Sequence, residues 1–67
     1  MKEHILSNLE SSFKNELVQM GFAYRNANEI VTYRQVMENF SDNELLILMG
    51  TCHAIQAMNK KFMAIPG

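Results

Sequence analysis

Residues 45–59 carry no charged side chain, and this uncharged run restricts what the chain can fold into. A helix on the surface of a small domain normally has an apolar stripe and a charged face, so a helix that is apolar or small almost all round is usually buried on both sides. A chain of 67 residues has few other elements with which to cover both sides. The run therefore predicts a helix that packs on its own domain with one face and on a partner with the other.

Chain length and cysteine content also favour association. One domain spans residues 1–67, and a chain of this size buries only about 60% of the surface that its unfolded form exposes, which leaves its stability marginal. The single cysteine, Cys52, has no mate for a disulfide within the chain, and it fits a reducing compartment or a small core thiol better than a secreted disulfide framework. His4 and His53 lack the short paired spacing of zinc ligands, so no metal site is expected. Oligomerisation remains as a source of stability, and we expect a homodimer.

Charge and hydropathy exclude several classes of function. The net charge is −1, with six Lys and Arg against seven Asp and Glu. The basic residues are scattered and do not form the basic stripe with which proteins neutralise phosphates, so we expect no strong autonomous binding to nucleic acid. The sequence shows neither a signal peptide nor a run of about 18 apolar residues. It predicts a cytoplasmic protein that does not enter a membrane.

The hydrophobic pattern predicts an all-α fold, a compact three-helix domain. Apolar residues recur every four positions in the first part of the chain, which predicts a helix over about residues 3–20. Gly21 follows the last periodic position, where we expect a stop or a kink. Asn26 and Glu29 have the spacing of a capping box, which predicts a second helix over about residues 27–40.

The third helix is predicted over about residues 42–64. Ser41 and Glu44 form an S-x-x-E capping box at its start. A helical wheel gives this helix a broad sector of large apolar side chains, facing the first two helices, and an opposite strip of small residues centred on Gly50. Glycine in a helix interior costs about 1 kcal/mol relative to alanine, which is understandable if another helix approaches closely there. The alternative is a poorly optimised free surface. Six residues are the candidates for contact with a partner: Leu46, Ile47, Gly50, His53, Ala54 and Ala57.

Catalysis is not expected. A nucleophile needs a base at hydrogen-bond distance, but Cys52 and His53 are neighbours on a helix and project about 100° apart. The few glycines do not form a phosphate-binding loop. Four carboxylates are interpreted as solvated surface: Glu10, Glu16, Glu29 and Glu38. We therefore expect no enzyme, no cofactor and no small-molecule substrate.

Two parts of the chain carry a resemblance to a known family. The segment Ser41-Asp42-Asn43-Glu44-Leu45, with His53 and the terminal Met58-Asn59-Lys60-x-Phe62-x-x-Ile65-Pro66, resembles the Hha/YmoA family of small helical modulators of bacterial gene expression. The resemblance covers about residues 30–66. It implies a small cytoplasmic co-regulator that binds the nucleoid-structuring protein H-NS and has no strong DNA binding of its own.

A second resemblance lies nearer the N-terminus. The segment Glu16-Leu17-x-x-x-Gly21-x-Ala23-Tyr24-Arg25 is similar to the end of the first helix in the theta subunit of bacterial DNA polymerase III. Both families are helical, non-enzymatic accessory proteins. Both resemblances imply a role in binding another protein.

The sequence as a whole predicts a non-enzymatic interaction module that modulates a bacterial regulator, with an H-NS-type nucleoid protein as the most concrete partner. Two alternatives remain open. One is a phage- or plasmid-encoded inhibitor that docks on a host protein. The other is an accessory subunit or self-assembly domain.

Overall fold

The computed structural model describes the backbone of residues 1–63 and the side chains of residues 1–61. Within these residues the fold has four helices and one two-stranded antiparallel sheet, so the predicted all-α three-helix domain is wrong. The described elements in chain order are α1 (Lys2–Ser12), α2 (Lys14–Met20), β1 (Ala23–Asn26), β2 (Glu29–Thr32), α3 (Arg34–Glu38) and α4 (Asp42–Met63).

The helix predicted over residues 3–20 is broken at Phe13, which leaves the helical conformation with φ −126° and ψ 36°. Polar side chains just before the break bind Asn8: the Ser11 hydroxyl donates to its carbonyl oxygen and the Ser12 hydroxyl to its side-chain oxygen. Serine and asparagine side chains that bond locally in this way compete with regular helix hydrogen bonding. The Phe13 side chain is buried at the junction, so the break places an aromatic ring in the core.

The predicted stop at Gly21 is confirmed. Gly21 has φ +85° and ends α2 in the left-handed conformation. Its N–H donates to the Val18 carbonyl, and the N–H of Phe22 reaches back to the Leu17 carbonyl at 2.8 Å. These two bonds are the pattern of a Schellman motif, which satisfies the last carbonyls of a helix and turns the chain away from it.

A β-hairpin and a short helix occupy the place of the helix predicted over residues 27–40. Asn26 and Glu29 are paired across the hairpin and do not form a helix-capping box. Ala27 and Asn28 connect the strands, and Ala27 has φ +55°. The run from Ile30 to Thr32 is rich in β-branched residues, which fit the pleated surface of a sheet better than a helix.

Arg34, the first residue of α3, joins elements that are distant in sequence. Its guanidinium forms ion pairs with Glu3 and Glu10 of α1 and with Glu38 of its own helix. The Thr32 hydroxyl donates to the Glu10 carboxylate at 2.9 Å. The hydrogen bonds that its N–H groups donate, first to Glu3 and then to Glu38, raise the pKa of Arg34 above its ordinary value. These contacts hold the end of β2 and the start of α3 against α1.

The long C-terminal helix begins as predicted. The Ser41 N–H donates to the Glu44 carboxylate at 2.8 Å, and the Glu44 N–H donates to the Ser41 hydroxyl at 3.2 Å. This is the reciprocal capping box, and the Ser41 backbone hydrogen bond lowers the pKa of the Glu44 carboxyl. Helix α4 continues to Met63, while the predicted last position, residue 64, lies outside the described residues.

The core lies between α1, α2, the hairpin and one face of α4. Every buried residue of α1 and α2 except Glu16 is apolar, and α4 contributes the inner side of its first three turns. The apolar core residues are Ile5, Leu6, Leu9, Phe13, Leu17, Ala23, Met37, Leu45, Leu48 and Cys52.

Candidate protein-interaction surface

All six residues predicted to contact a partner are on exposed parts of α4. Leu45, Leu48 and Cys52 are buried on its inner side, so the uncharged run does divide into a core face and an outer face. The outer surface also includes Met58, which was not among the six candidates. We call the outer set the α4 apolar face: Leu46, Ile47, Gly50, Ala54, Ala57 and Met58.

The large side chains of the α4 apolar face are open to solvent. Ile47 is 69% exposed, Met58 is 59% exposed and Leu46 is 50% exposed. Isolated exposed apolar residues are common on protein surfaces, but three on one face, with only small residues between them, form a contiguous patch. Met58 lies about three turns after Ile47. That spacing is the sequence signal that would have added Met58 to the candidates.

Gly50 lies in the middle of this face without an internal reason to be glycine. A Cβ atom built at this position would meet nothing within 4 Å. Its φ is not positive, since Gly21 is the only described glycine in the left-handed region. Backbone conformation and packing inside the monomer would therefore both allow a side chain at position 50. Alanine there would stabilise the helix by about 1 kcal/mol relative to glycine.

His53 is at the edge of the face and already has a contact within the chain. Its ring meets the ring of Phe13 edge-on, with centroids 4.7 Å apart and planes at 76°. Such aromatic pairs add about 0.5–1.5 kcal/mol beyond the area they bury. His53 thus helps to hold the junction of α1 and α2 on α4, and only the rest of its surface is open to a partner.

The α4 apolar face is open because the rest of the domain packs on the opposite side of α4. Helices α1 and α2 both contact α4, and the Cα atoms extend only 16 Å along the shortest axis of the molecule. This thickness accommodates about two packed layers, which is the usual minimum for a domain. In the described residues no third layer covers the outer side of α4.

Charges lie only at the two ends of α4. Asp42 and Glu44 are in its first turn and Lys60 and Lys61 in its last turn. This distribution complements the helix dipole. It also gives the α4 apolar face one acidic end and one basic end.

A polar cleft on the other side of the molecule is a second feature that the sequence did not predict. It has a volume of about 630 Å³ and lies between α2 and the hairpin, with Asn15, Glu16, Arg25 and Gln56 among its lining residues. Glu16 was interpreted as solvated surface, but the residue is only 6% exposed. Glu16 follows Leu9 by seven residues and Phe13 by three, so helical spacing places it on the same inner side as these core residues, near Cys52 of α4.

Glu16 lines this cleft. It has no ion pair among the described residues, and neither of its side-chain oxygens is both fully buried and without a partner. Its burial by itself therefore points to no ligand. Its negative charge acts instead on Cys52, whose pKa is raised to about 11 by burial and, to a smaller extent, by Glu16.

The described residues form neither a candidate metal centre nor a candidate membrane span. No group of three or more His, Cys, Asp or Glu side chains is placed to hold a metal ion. Among the helices of residues 1–63, none combines the length and the hydropathy needed to span a bilayer.

Comparison with protein-family models, curated proteins and solved structures finds no match for this chain. The two family resemblances therefore rest on the quoted residues alone. The hairpin at residues 23–32 is not part of what either helical family implies.

Proposed function

We propose that this protein is a non-enzymatic protein-interaction module that binds through the α4 apolar face. The observation that carries the proposal is the exposure of Leu46, Ile47 and Met58 around a glycine that the monomer does not require. Exposed apolar patches of this kind mark interaction surfaces in small soluble domains. Burying each of these large side chains on a partner contributes about 1.5–3 kcal/mol before the costs of association.

The shape of the face favours a helical partner. Gly50 and Ala54 are small residues between larger side chains on this face, and the side-chain ridges of another helix pack closely where small residues leave space. Recognition through one face of a helix uses residues at spacings of three, four and seven positions, as found from Leu46 through Gly50 to Ala54 and Ala57. The module therefore binds by helix packing.

The proposed biological role is to modulate a bacterial regulator, with the nucleoid protein H-NS as the concrete partner. This role is supported by the resemblance of residues 41–45, His53 and residues 58–66 to the Hha/YmoA family. Residues 41–45 are also the start of α4 and thus adjoin the α4 apolar face. The proposed role and the proposed surface therefore involve the same helix.

A photo-crosslinking experiment tests the surface. A photoreactive phenylalanine derivative replaces Ile47 in one protein and Val36 in another, because Val36 is a comparably apolar residue that is 50% exposed on α3. Each purified protein is irradiated alone and mixed with purified H-NS. We expect adducts from position 47, with H-NS or with a second copy, in clear excess over adducts from position 36. Equal yields at the two positions, or no adduct from position 47, would overturn the proposed function.

A further inference from the structure

We infer that, when no other partner is bound, the α4 apolar face packs on the same face of a second copy, antiparallel about a two-fold axis between Gly50 and Ala54. This inference rests on the proposed function and names what covers that surface in the protein alone. A two-fold axis requires a patch that is complementary to itself, so every contact has to occur twice. The order of residues along α4 meets this requirement.

The apolar contacts pair large residues with residues that can accommodate them. An antiparallel arrangement centred between Gly50 and Ala54 places Gly50 of each copy against Ala54 of the other copy. On one side of the pair it brings Leu46 near Ala57, and on the other side Ile47 near the flexible Met58. The absence of a Cβ at Gly50, which nothing inside the monomer explains, permits the two helix axes to approach to about 8 Å.

The charges at the two ends of α4 select the antiparallel direction. Asp42 and Lys60 are five helical turns apart and therefore lie on the same side of α4. In the antiparallel pair, Asp42 of each copy approaches Lys60 of the other, which gives two pairs of opposite charge. A parallel pair would instead bring the two acidic ends together and the two basic ends together. Antiparallel packing also aligns the two helix dipoles favourably.

The size of the face sets the expected affinity. Helix α4 has 22 residues and is about 33 Å long, but the α4 apolar face and its charged ends involve fewer residues than the roughly 20–30 per side of a standard interface. We expect a monomer–dimer equilibrium with a dissociation constant in the micromolar range. Sedimentation equilibrium of the full chain, from low micromolar to several hundred micromolar, measures it.

Gly50→Leu tests the close approach of the helices. The added side chain meets open space in the monomer, so we expect circular dichroism to report unchanged or increased helicity. We expect the dimer to weaken by about tenfold or more, because the leucine separates the two helices. Gln35→Leu is the matched control, since it adds the same side chain at an exposed helical position of α3. An unchanged dissociation constant for Gly50→Leu would overturn the inference.

A charge exchange tests the contacts at the ends. Asp42→Lys and Lys60→Glu each replace two attractive contacts by repulsive ones, so each is expected to weaken the dimer several-fold at low salt. The double variant restores opposite charges across the interface and is expected to recover most of the affinity. Two single variants with no effect, or a double variant weaker than both, would contradict the antiparallel pairing.

Thiol crosslinking in a Cys52→Ala background determines whether the two α4 helices of the dimer are antiparallel or parallel. We expect a short bifunctional thiol reagent to link Leu46→Cys to Ala57→Cys when the two proteins are mixed, and to leave each protein alone without a crosslinked dimer. A dimer from Leu46→Cys alone would indicate parallel packing and overturn the inference. A chain that stays monomeric at all concentrations would also overturn it. In that case an adduct between position 47 and H-NS leaves the proposed function intact, whereas its absence removes both.

Discussion

At the scale of single residues, Cys52 shows how a buried neighbour changes the chemistry of a side chain. The residue has no exposed surface and packs on the inner side of α4. Burial disfavours the thiolate, and the negative charge of Glu16 adds to this effect, so the pKa of Cys52 is raised from 9.0 to about 11. Only the thiolate is a good nucleophile, and the thiol of the folded protein is therefore inert near neutral pH.

The raised pKa of Cys52 predicts a loss of stability at alkaline pH. Below pH 9 the thiol is protonated in the folded and in the unfolded chain, and its contribution is constant. Between about 9.0 and about 11 the unfolded chain releases the proton while the folded chain retains it, so the free energy of unfolding falls as the pH rises. We expect a loss of about 1–2 kcal/mol over this range. Urea unfolding at a series of pH values measures it.

Cys52→Ala is the control for this prediction. The variant retains every other ionisable group of the chain, so the comparison isolates the thiol. We expect the variant to lose less stability than the natural chain between pH 9 and 11. If the free energy of unfolding fell equally with pH in the two proteins, the pKa of Cys52 would not be raised in the folded chain.

At the scale of elements, the turn of the hairpin contains a residue in a conformation that alanine seldom adopts. Ala27 is the only non-glycine residue with a positive φ among those described, at +55°. This left-handed conformation costs an alanine about 1–2 kcal/mol, whereas glycine adopts it freely but loses more entropy on folding. We expect Ala27→Gly to raise the free energy of unfolding by about 0.5–1 kcal/mol, measured by urea unfolding.

The neighbouring turn residue supplies the comparison. Asn28→Gly places the same residue in the same two-residue turn, but at a position without a positive φ. We expect this variant to be neutral or less stable than the natural chain. A gain at position 28 as large as that at position 27 would mean that the turn is not strained at Ala27.

The helix ends that were predicted correctly carry sequence signals with only one structural interpretation. Ser41 with Glu44 before a long apolar run indicates a helix start, and Gly21 after a periodic run indicates a helix end. Asn26 with Glu29 is ambiguous, because a spacing of three fits a capping box and also the flanks of a two-residue hairpin turn. Without Asn-Gly or Asp-Gly in the turn, the strongest hairpin signal was missing.

The candidate surface was partly predictable for a related reason. The exposed positions of Leu46 and Ile47 follow from helical periodicity alone, since α4 is regular over its whole described length. The burial of Glu16 was missed for a different reason, since a carboxylate usually lies in solvent. Its spacing from Leu9 and Phe13 nevertheless places it on the apolar side of the N-terminal helices. Periodicity indicated the correct face here, and the residue type misled.

At the scale of the whole molecule, one guanidinium connects three elements. Arg34 pairs with carboxylates of α1 and α3, and Thr32 at the end of β2 binds one of those carboxylates. Isolated exposed ion pairs contribute little to stability, but a network around one arginine is more effective because a single ordered side chain makes several contacts. In a chain that buries little surface, this network stabilises the packing of α1, β2 and α3, while the outer side of α4 stays open to a partner.

We therefore expect Arg34→Gln to lower the stability of the fold more than the loss of an ordinary surface charge does. The substitution leaves Glu3, Glu10 and Glu38 close together without their shared cation, so their repulsion adds to the lost hydrogen bonds. Arg25→Gln is the matched control, since Arg25 donates one hydrogen bond to Asn15 and has no ion pair among the described residues. We expect the thermal midpoint to fall further for Arg34→Gln than for Arg25→Gln at low ionic strength and neutral pH.

Salt should reduce this difference between the two variants, because high salt screens the repulsion among the three carboxylates. Both variants are compared at one protein concentration, because dimer formation makes the thermal midpoint depend on concentration. Equal midpoints for the two variants at low salt would contradict the network. A difference that persisted unchanged at high salt would assign the role of Arg34 to the packing of its side chain.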